Sequence, residues 1–335
     1  MRLFPLVTVV FCAVLVGGCR KQDEKSSAQK PRQRVVLYCS VDDVYVRPII
    51  KELEAKTGLK IDTLYDTEAA KTAGLANRIR AERNRPQGDV FWSSALLQTL
   101  LLQREGLLAP YVSPSARDIP PAFKDLHGSW TAMGVRSRVI VFHSGLKSPP
   151  RKWEDLLQPA LKNRVGISNP QFGTASDWVS ALTIRQGQAQ TLSYFRALKQ
   201  NGVRVLPGNS VVAERVARGE LLAGVTDGDD YLAQKKKTGN IETLNTQLMA
   251  IPGSVALLKG APHLEAAHRL IDELLKIETE MRLAQEMPGV YLTRTPVGDS
   301  KLQAYDFSRV PNDAQSWPKA WISVRDPLAE ILLRD

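Results

Sequence analysis

From residue 35 to residue 275, short apolar runs of strand character alternate with stretches of helical spacing, a pattern that commits the chain to α/β layers. Residues 35–38, 59–65 and 89–92 read as strands, separated by helical stretches at 46–56 and 69–83 and followed by one at 96–103. Gly58 and Gly106 stop the first and last of these helices. A second set follows, with strands at 165–168, 203–206 and 221–226 and helices at 175–185, 191–200 and 211–217. Two longer β runs separate the sets. Residues 131–143 can cross from one set to the other, and residues 247–258, interrupted by Pro252-Gly253, can return. One strong helix over 264–285 comes next, and no internal repeat is visible. The expected fold is therefore α/β and two-lobed, each lobe a central mixed sheet flanked by helices, with two β crossings between them. The N-terminal lobe takes 34–138 with 252–288 and the C-terminal lobe takes 139–251 with 289–335. Such lobes open and close on hinges. Two successive domains divided near Pro149-Pro150 are the alternative.

The N-terminus places this body outside the cytoplasm. Residues 1–19 carry one basic residue, an uncharged run from 3 to 16, two glycines and Cys19, the pattern of a secretory signal rather than a spanning helix. Residues 20–33 are polar and aperiodic, the composition of a flexible tether. Cys12 leaves with the signal, so Cys39 is the one thiol of the body, and no intramolecular disulfide can form.

The chain carries 45 Lys and Arg against 35 Asp and Glu, a formal net charge of +10, which favours anionic surfaces or solutes by general electrostatics. The basic residues are dispersed and not interleaved with aromatics, so nucleic acid is not expected as a partner. The one tight run, Lys235 to Lys237, reads as a solvated helix end. Enzymatic motifs are missing: there is no P-loop and no G-x-S-x-G elbow. His263 and His268 stand five residues apart rather than four and diverge around a helix.

The segment 209–231, NSVVAERVARGELLAGVTDGDDY, runs from a helix through a buried strand into Asp227, Asp229 and Asp230. At the C-terminal edge of a parallel strand these carboxylates would face the crevice where open α/β sheets bind ligands, whereas taken alone DGDD reads as a solvated turn. By the same strand-end rule Ser40, Asp42 and Asp43 follow the first strand; Asp66, Thr67 and Glu68 the second; Trp92, Ser93 and Ser94 the third. From the second set come Asn169, Thr174, Ala175, Ser176, Asn209 and Ser210. The 172–176 loop and Asn209-Ser210 each open a helix, and free backbone N–H groups there can cradle a phosphate, phosphonate or carboxylate. Thr174 and Ser210 can equally serve as ordinary N-caps. Trp92 packs on a ligand or seals the lobe. Arg136 and Arg138 share one face of the crossing run, and an outward, solvated face is expected for them. Cys39 is expected to be a packed core residue.

These residues resemble a known family. Residues 35–43, 88–108, 134–146, 163–176, 208–231 and 256–275 follow, in order and spacing, the extracellular solute-binding proteins of ABC importers, in the branch that includes the ferric-ion-binding proteins. Val16-Gly17-Gly18-Cys19 resembles the lipobox of bacterial lipoproteins. The resemblance implies the type II periplasmic binding protein fold, lipid on Cys19, a monomeric body held at the cell envelope, and no enzymatic activity or cofactor. Its implied partners are an ABC permease with its cytoplasmic ATPase, and a small-molecule or ion ligand. Where ferric-binding relatives carry histidine, glutamate and a tyrosine pair, this chain aligns Asp42, Ser94, and Asp229 with Asp230. Tyr231 lies close enough to supply one phenolate. Carboxylates are hard donors too, so Asp42, Asp229, Asp230 and Tyr231 are the metal candidates. The expected ligand set is Ser40, Asp42, Asp43, Trp92, Ser94, Thr174, Ser176, Asn209, Ser210, Asp227, Asp229 and Asp230, suited to a small anionic or zwitterionic solute such as a phosphonate or phosphate ester. Ferric iron or another metal with a synergistic anion is the rival within the class. A metal-dependent periplasmic hydrolase using Asp42 and the 227–230 aspartates, or a ligand-sensing subunit for a membrane receptor, are rivals outside it.

Overall fold

In the computed structural model, which describes residue 1 and residues 33–66, 72–244, 249–298, 301–304 and 314–334, the alternating pattern becomes one strongly crossed sheet. The expected signal beyond residue 1, with Cys19, the expected tether up to residue 32, and Thr67 and Glu68 lie outside the described residues. The strands are β1 (Arg34–Cys39), β2 (Lys60–Tyr65), β3 (Val90–Ser93), β4 (Leu108–Ala109), β5 (Thr131–His143), β6 (Val165–Ser168), β7 (Arg204–Leu206), β8 (Ala223–Asp227), β9 (Ile241–Glu242) and β10 (Met249–Leu258). The helices are α1 (Asp43–Thr57), α2 (Ala73–Ala81), α3 (Leu97–Arg104), α4 (Gly173–Gln186), α5 (Gln188–Gln200), α6 (Asn209–Ala217), α7 (Gly228–Thr238), α8 (Leu264–Leu274), α9 (Ile277–Glu286) and α10 (Trp317–Leu333).

Strand order is β2-β1-β3-β10-β5-β8-β6-β7, with β4 added to β10 and β9 to β5. β1 pairs in parallel with β2 and β3, and β6 pairs in parallel with β7 and β8. Between these parallel groups β10 and β5 run antiparallel to each other and to β3 and β8. The uninterrupted apolar character of β1 follows from burial on both faces: Val35, Leu37, Tyr38 and Cys39 are all buried. Gly58 ends α1 in the left-handed conformation that a residue with a Cβ resists.

The crossing strands carry the fold's main irregularity. Residues 249–258 form one strand through Pro252-Gly253 rather than an interrupted run, with a register shift between Pro252 and Ser254. A Cβ on Gly253 would lie 2.8 Å from the Met133 carbonyl, and Gly134 on the facing strand has φ 73°. Both strands thus use glycine where the two parallel groups meet. Glu280 braces this point from α9, accepting the Gly134 N–H at 2.9 Å and the Thr293 N–H at 2.8 Å.

The helix expected over 264–285 is two helices, broken at Leu275-Lys276, and this break lets α9 turn toward β5 while α8 lies on β1 and β10. At the chain end, α10 packs against α4 and α5 and also touches α3. Among the described residues no helix is long and apolar enough to cross a membrane.

Candidate ligand-binding site

The parallel groups point their C-terminal strand edges at one another, and three helix N-termini open there: α4 after β6, α6 after β7 and α7 after β8. The site is built around two arginines on β5. Arg138 is fully buried, and its Nη1 donates to Asp227 Oδ1 (2.8 Å), Asn209 Oδ1 (2.6 Å) and Thr174 Oγ1 (3.1 Å). Its Nη2 donates to Ser168 Oγ at 3.0 Å, and the guanidinium lies 5.7 Å over the Trp178 ring. The second oxygen of Asp227 accepts from Thr174 Oγ1 (2.7 Å) and Asn209 Nδ2 (2.9 Å). Buried charge is stable only when paired and hydrogen-bonded; this quartet pairs the charges and bonds both Nη atoms, while Arg138 Nε is buried without a partner.

Arg136 sits two residues along the same strand face, also buried, but its partners are shared and longer. Asp42, Asp227 and Asp229 approach it at 3.3, 3.5 and 3.2 Å. Burial alone would lower the pKa of this guanidinium, and Asp229, Asp42, Asp227 and Asp230 together push it up instead. Asp229 is shifted upward as well, but there burial is the cause. Burial raises its carboxyl to about 6, opposed by Arg136 and reinforced by Asp227 and Asp42, and its Oδ1 is buried with no hydrogen-bond partner. Carboxylate oxygens of Asp227, Asp229 and Asp230 lie within 4.8 Å of one another, a spacing that can hold a cation.

The outward, solvated face expected for Arg136 and Arg138 is thus corrected: both are buried in the cleft floor. The sequence gives only half of the signal: alternation puts both arginines on one face of β5, but the four aspartates that supply their counter-charges converge only in the fold. Asp229 and Asp230 are not in a strand-end turn; they occupy the first turn of α7, where the helix dipole favours carboxylates. Ser94 lines a pocket with Arg136, Asn169, Gly173, Thr174 and Asn209, of ≈ 20 Å³, room for about one water molecule. Ser40 supports that wall by accepting the Ser94 N–H at 2.9 Å.

Other expected ligand residues are placed elsewhere. Asp43 pairs with Arg47 on the surface of α1, Ser176 bonds back to the Gly173 carbonyl at 2.7 Å, and Ser210 is exposed on α6. Trp92 is fully buried in the core. Tyr231 packs against the apolar cluster of Val139, Val141 and Val212. Thr174 does not cap α4 but spends its hydroxyl on Asp227. Asp177, not anticipated from sequence, is fully buried and accepts the Leu96 N–H (2.8 Å) and the Leu97 N–H (3.2 Å). Burial raises its carboxyl to about 7, against the lowering by those two N–H bonds. Cys39 is buried, and burial raises its thiol pKa well above the usual range. A larger depression of ≈ 530 Å³ opens beside Arg34, Tyr38, Arg78 and His263, but Asp62 and Glu82 already pair with Arg34 and Arg78.

A two-lobed α/β chain whose facing strand edges enclose salt-bridged polar groups and helix N-termini has the architecture of a solute-binding receptor. The chain belongs to the family described as bacterial extracellular solute-binding protein, whose model matches residues 38–285. It is 25% identical over 301 residues to Iron uptake protein A1 of Synechocystis sp., covering 83% of this chain and 81% of that one. It is 26% identical over 275 residues to a putative 2-aminoethylphosphonate-binding periplasmic protein of Salmonella typhi, covering 78% of each. The solved structure of the periplasmic binding protein AfuA from Actinobacillus pleuropneumoniae, with fructose-6-phosphate bound, superposes with a TM-score of 0.75 at 24% identity over 90% of this chain and 97% of that one. This likeness establishes the fold. The chain is a solute-binding protein of the ABC import type.

Proposed function

We propose that the protein is a periplasmic, lipid-anchored receptor that captures a small zwitterionic or anionic solute in this cleft and delivers it to an ABC permease. One observation carries the reading: the site has two electrical sides. On one side, the N-termini of α4 and α6 offer donors to a phosphonate, phosphate or carboxylate, with Arg136, shared among Asp42, Asp227 and Asp229, between the two sides. On the other, Asp42, Asp229 and Asp230 gather around α7, with one buried Asp229 oxygen lacking a donor. An ammonium carried by the same solute would supply that donor. An aminoalkyl phosphonate has both charges at short spacing, and the Salmonella relative's name supports that class. Anchoring through Cys19, action as a monomer and the lack of enzymatic turnover belong to the same proposal.

A ferric or other metal ion bound with an anion is the second reading, supported by the convergence of three aspartates and by the iron relative. The packing of Tyr231 on apolar side chains weighs against a phenolate ligand. Thermal unfolding measured with 2-aminoethylphosphonate, sugar phosphates, inorganic phosphate, polyamines, divalent metals, and ferric salts with and without anions decides between them, because a ligand raises the midpoint by mass action. Stabilisation by ferric salts alone, persisting in Asp229→Ala/Asp230→Ala, would refute the zwitterion reading.

A further inference from the structure

Helix α3 begins without a cap of its own: Leu96 stands at the N-cap position and has no side chain able to accept the free N–H groups of the first turn. The missing acceptor comes from 80 residues away. Asp177 on α4 takes the Leu96 and Leu97 N–H groups with its two oxygens, at 2.8 and 3.2 Å, and is shielded entirely from solvent. The two helices belong to opposite parallel groups of the sheet, since α3 follows β3 and α4 follows β6, with β10, β5 and β8 between those strands. The two N–H groups, at the positive end of the helix dipole, favour the carboxylate form against the burial that disfavours it.

Position gives the bond its significance. Ser94, two residues before Leu96, and Thr174, three residues before Asp177 and hence one turn up α4, line the same pocket from its two sides. Whatever fixes Asp177 against Leu96 and Leu97 also fixes the gap between those walls. We propose that Asp177 is a positioning residue for solute capture, a clasp that ties the two halves at the Ser94–Thr174 separation and biases the empty cleft toward closure. This rests on the cleft being the solute site.

The test is an interlobe distance. Nitroxides at Lys51→Cys on α1 and Lys236→Cys on α7, both exposed, are placed in the full chain carrying Cys12→Ser and Cys19→Ser; Cys39 is buried and does not label. Double electron–electron resonance is recorded without solute for the parent, for Asp177→Asn and for Asp177→Ala. Both variants are expected to shift the distribution to longer distances, the isosteric Asn included, because its amide turns N–H toward N–H. An unchanged distribution with a lowered melting temperature means Asp177 is a helix cap and nothing more, and overturns the clasp. If Asp177→Ala does not fold, Asp177→Asn decides alone. Addition of 2-aminoethylphosphonate to the parent separates the two readings: a parent indifferent to it, with a variant that still lengthens, fails the ligand assignment and leaves the clasp standing.

Discussion

Replacing Arg138 by methionine removes one charge from a fully buried ion pair while keeping side-chain bulk. Asp227, also fully buried, would then keep only Thr174 and Asn209 as donors, at 2.7 and 2.9 Å, and lose the sole formal charge within 3 Å of it. Breaking a buried pair from one side costs about 3–5 kcal/mol when the surviving charge is left uncompensated, and because Arg136 remains 3.5 Å from Asp227 the lower end of that range is expected here. In the double variant Arg138→Met/Asp227→Asn neither charge remains, and about half of that cost or more should return. Urea unfolding followed by tryptophan fluorescence measures all four corners of the cycle, Trp178 lying directly beneath the guanidinium. The cost is expected without any solute present. A loss below about 1 kcal/mol in Arg138→Met, or a double variant equal to the sum of the singles, would show that the quartet is not a coupled buried pair.

The pH dependence of stability has a definite sign at Asp177. Its carboxyl is raised by burial to about 7 from 3.8, so between those values the folded chain holds a proton the unfolded chain has released, and stability falls as pH rises through this window. Asp177→Asn should flatten that slope in urea midpoints taken from pH 4 to 8; a parent that gains stability relative to the variant across this range contradicts the assignment. Asp229→Asn should abolish the rise in melting temperature caused by 2-aminoethylphosphonate while leaving any rise caused by inorganic phosphate, and equal loss of both would place the ammonium elsewhere. Gly134→Ala forces a Cβ into left-handed backbone 2.9 Å from Val290 Cγ1 and should cost about 1–3 kcal/mol in chemical denaturation; a neutral result would mean that the crossing strand relaxes freely.

The parallel groups were legible because strands buried on both faces leave unbroken apolar runs such as VVLYC, and helices such as α1 end on glycine. The two-lobed plan followed from the length of the 131–143 run. Less visible was the break of the 264–285 helix at Leu275-Lys276: its apolar spacing continues through the break, and the turn is fixed by Glu280 reaching Gly134 and Thr293, a tertiary bond no local pattern encodes. At the candidate site, rules for strand ends named Ser94, Thr174, Asn209 and the aspartates, which the fold brings around one cleft. The same rules also named Asp43, Ser176 and Ser210, whose side chains are placed away from the cleft, because they locate a backbone position and not the direction of a side chain. Arg136 and Arg138 were misjudged for a different reason: charge on a strand normally means solvent, and only the assembled cleft supplies the carboxylates that make burial tolerable. Asp177 left no signal, since its partners are two main-chain N–H groups of a leucine pair.

That both arginines ride on β5, the strand the two halves share, has a mechanical consequence. The positive charges sit on the axle, whereas Asp42 and Ser94 lie on one blade and Thr174, Asn209, Asp229 and Asp230 on the other. A solute that grips only the axle exerts no torque, however tightly it is held. One that also reaches a group on each blade pulls with a lever arm, so under the proposed receptor role occupancy and closure are separable quantities.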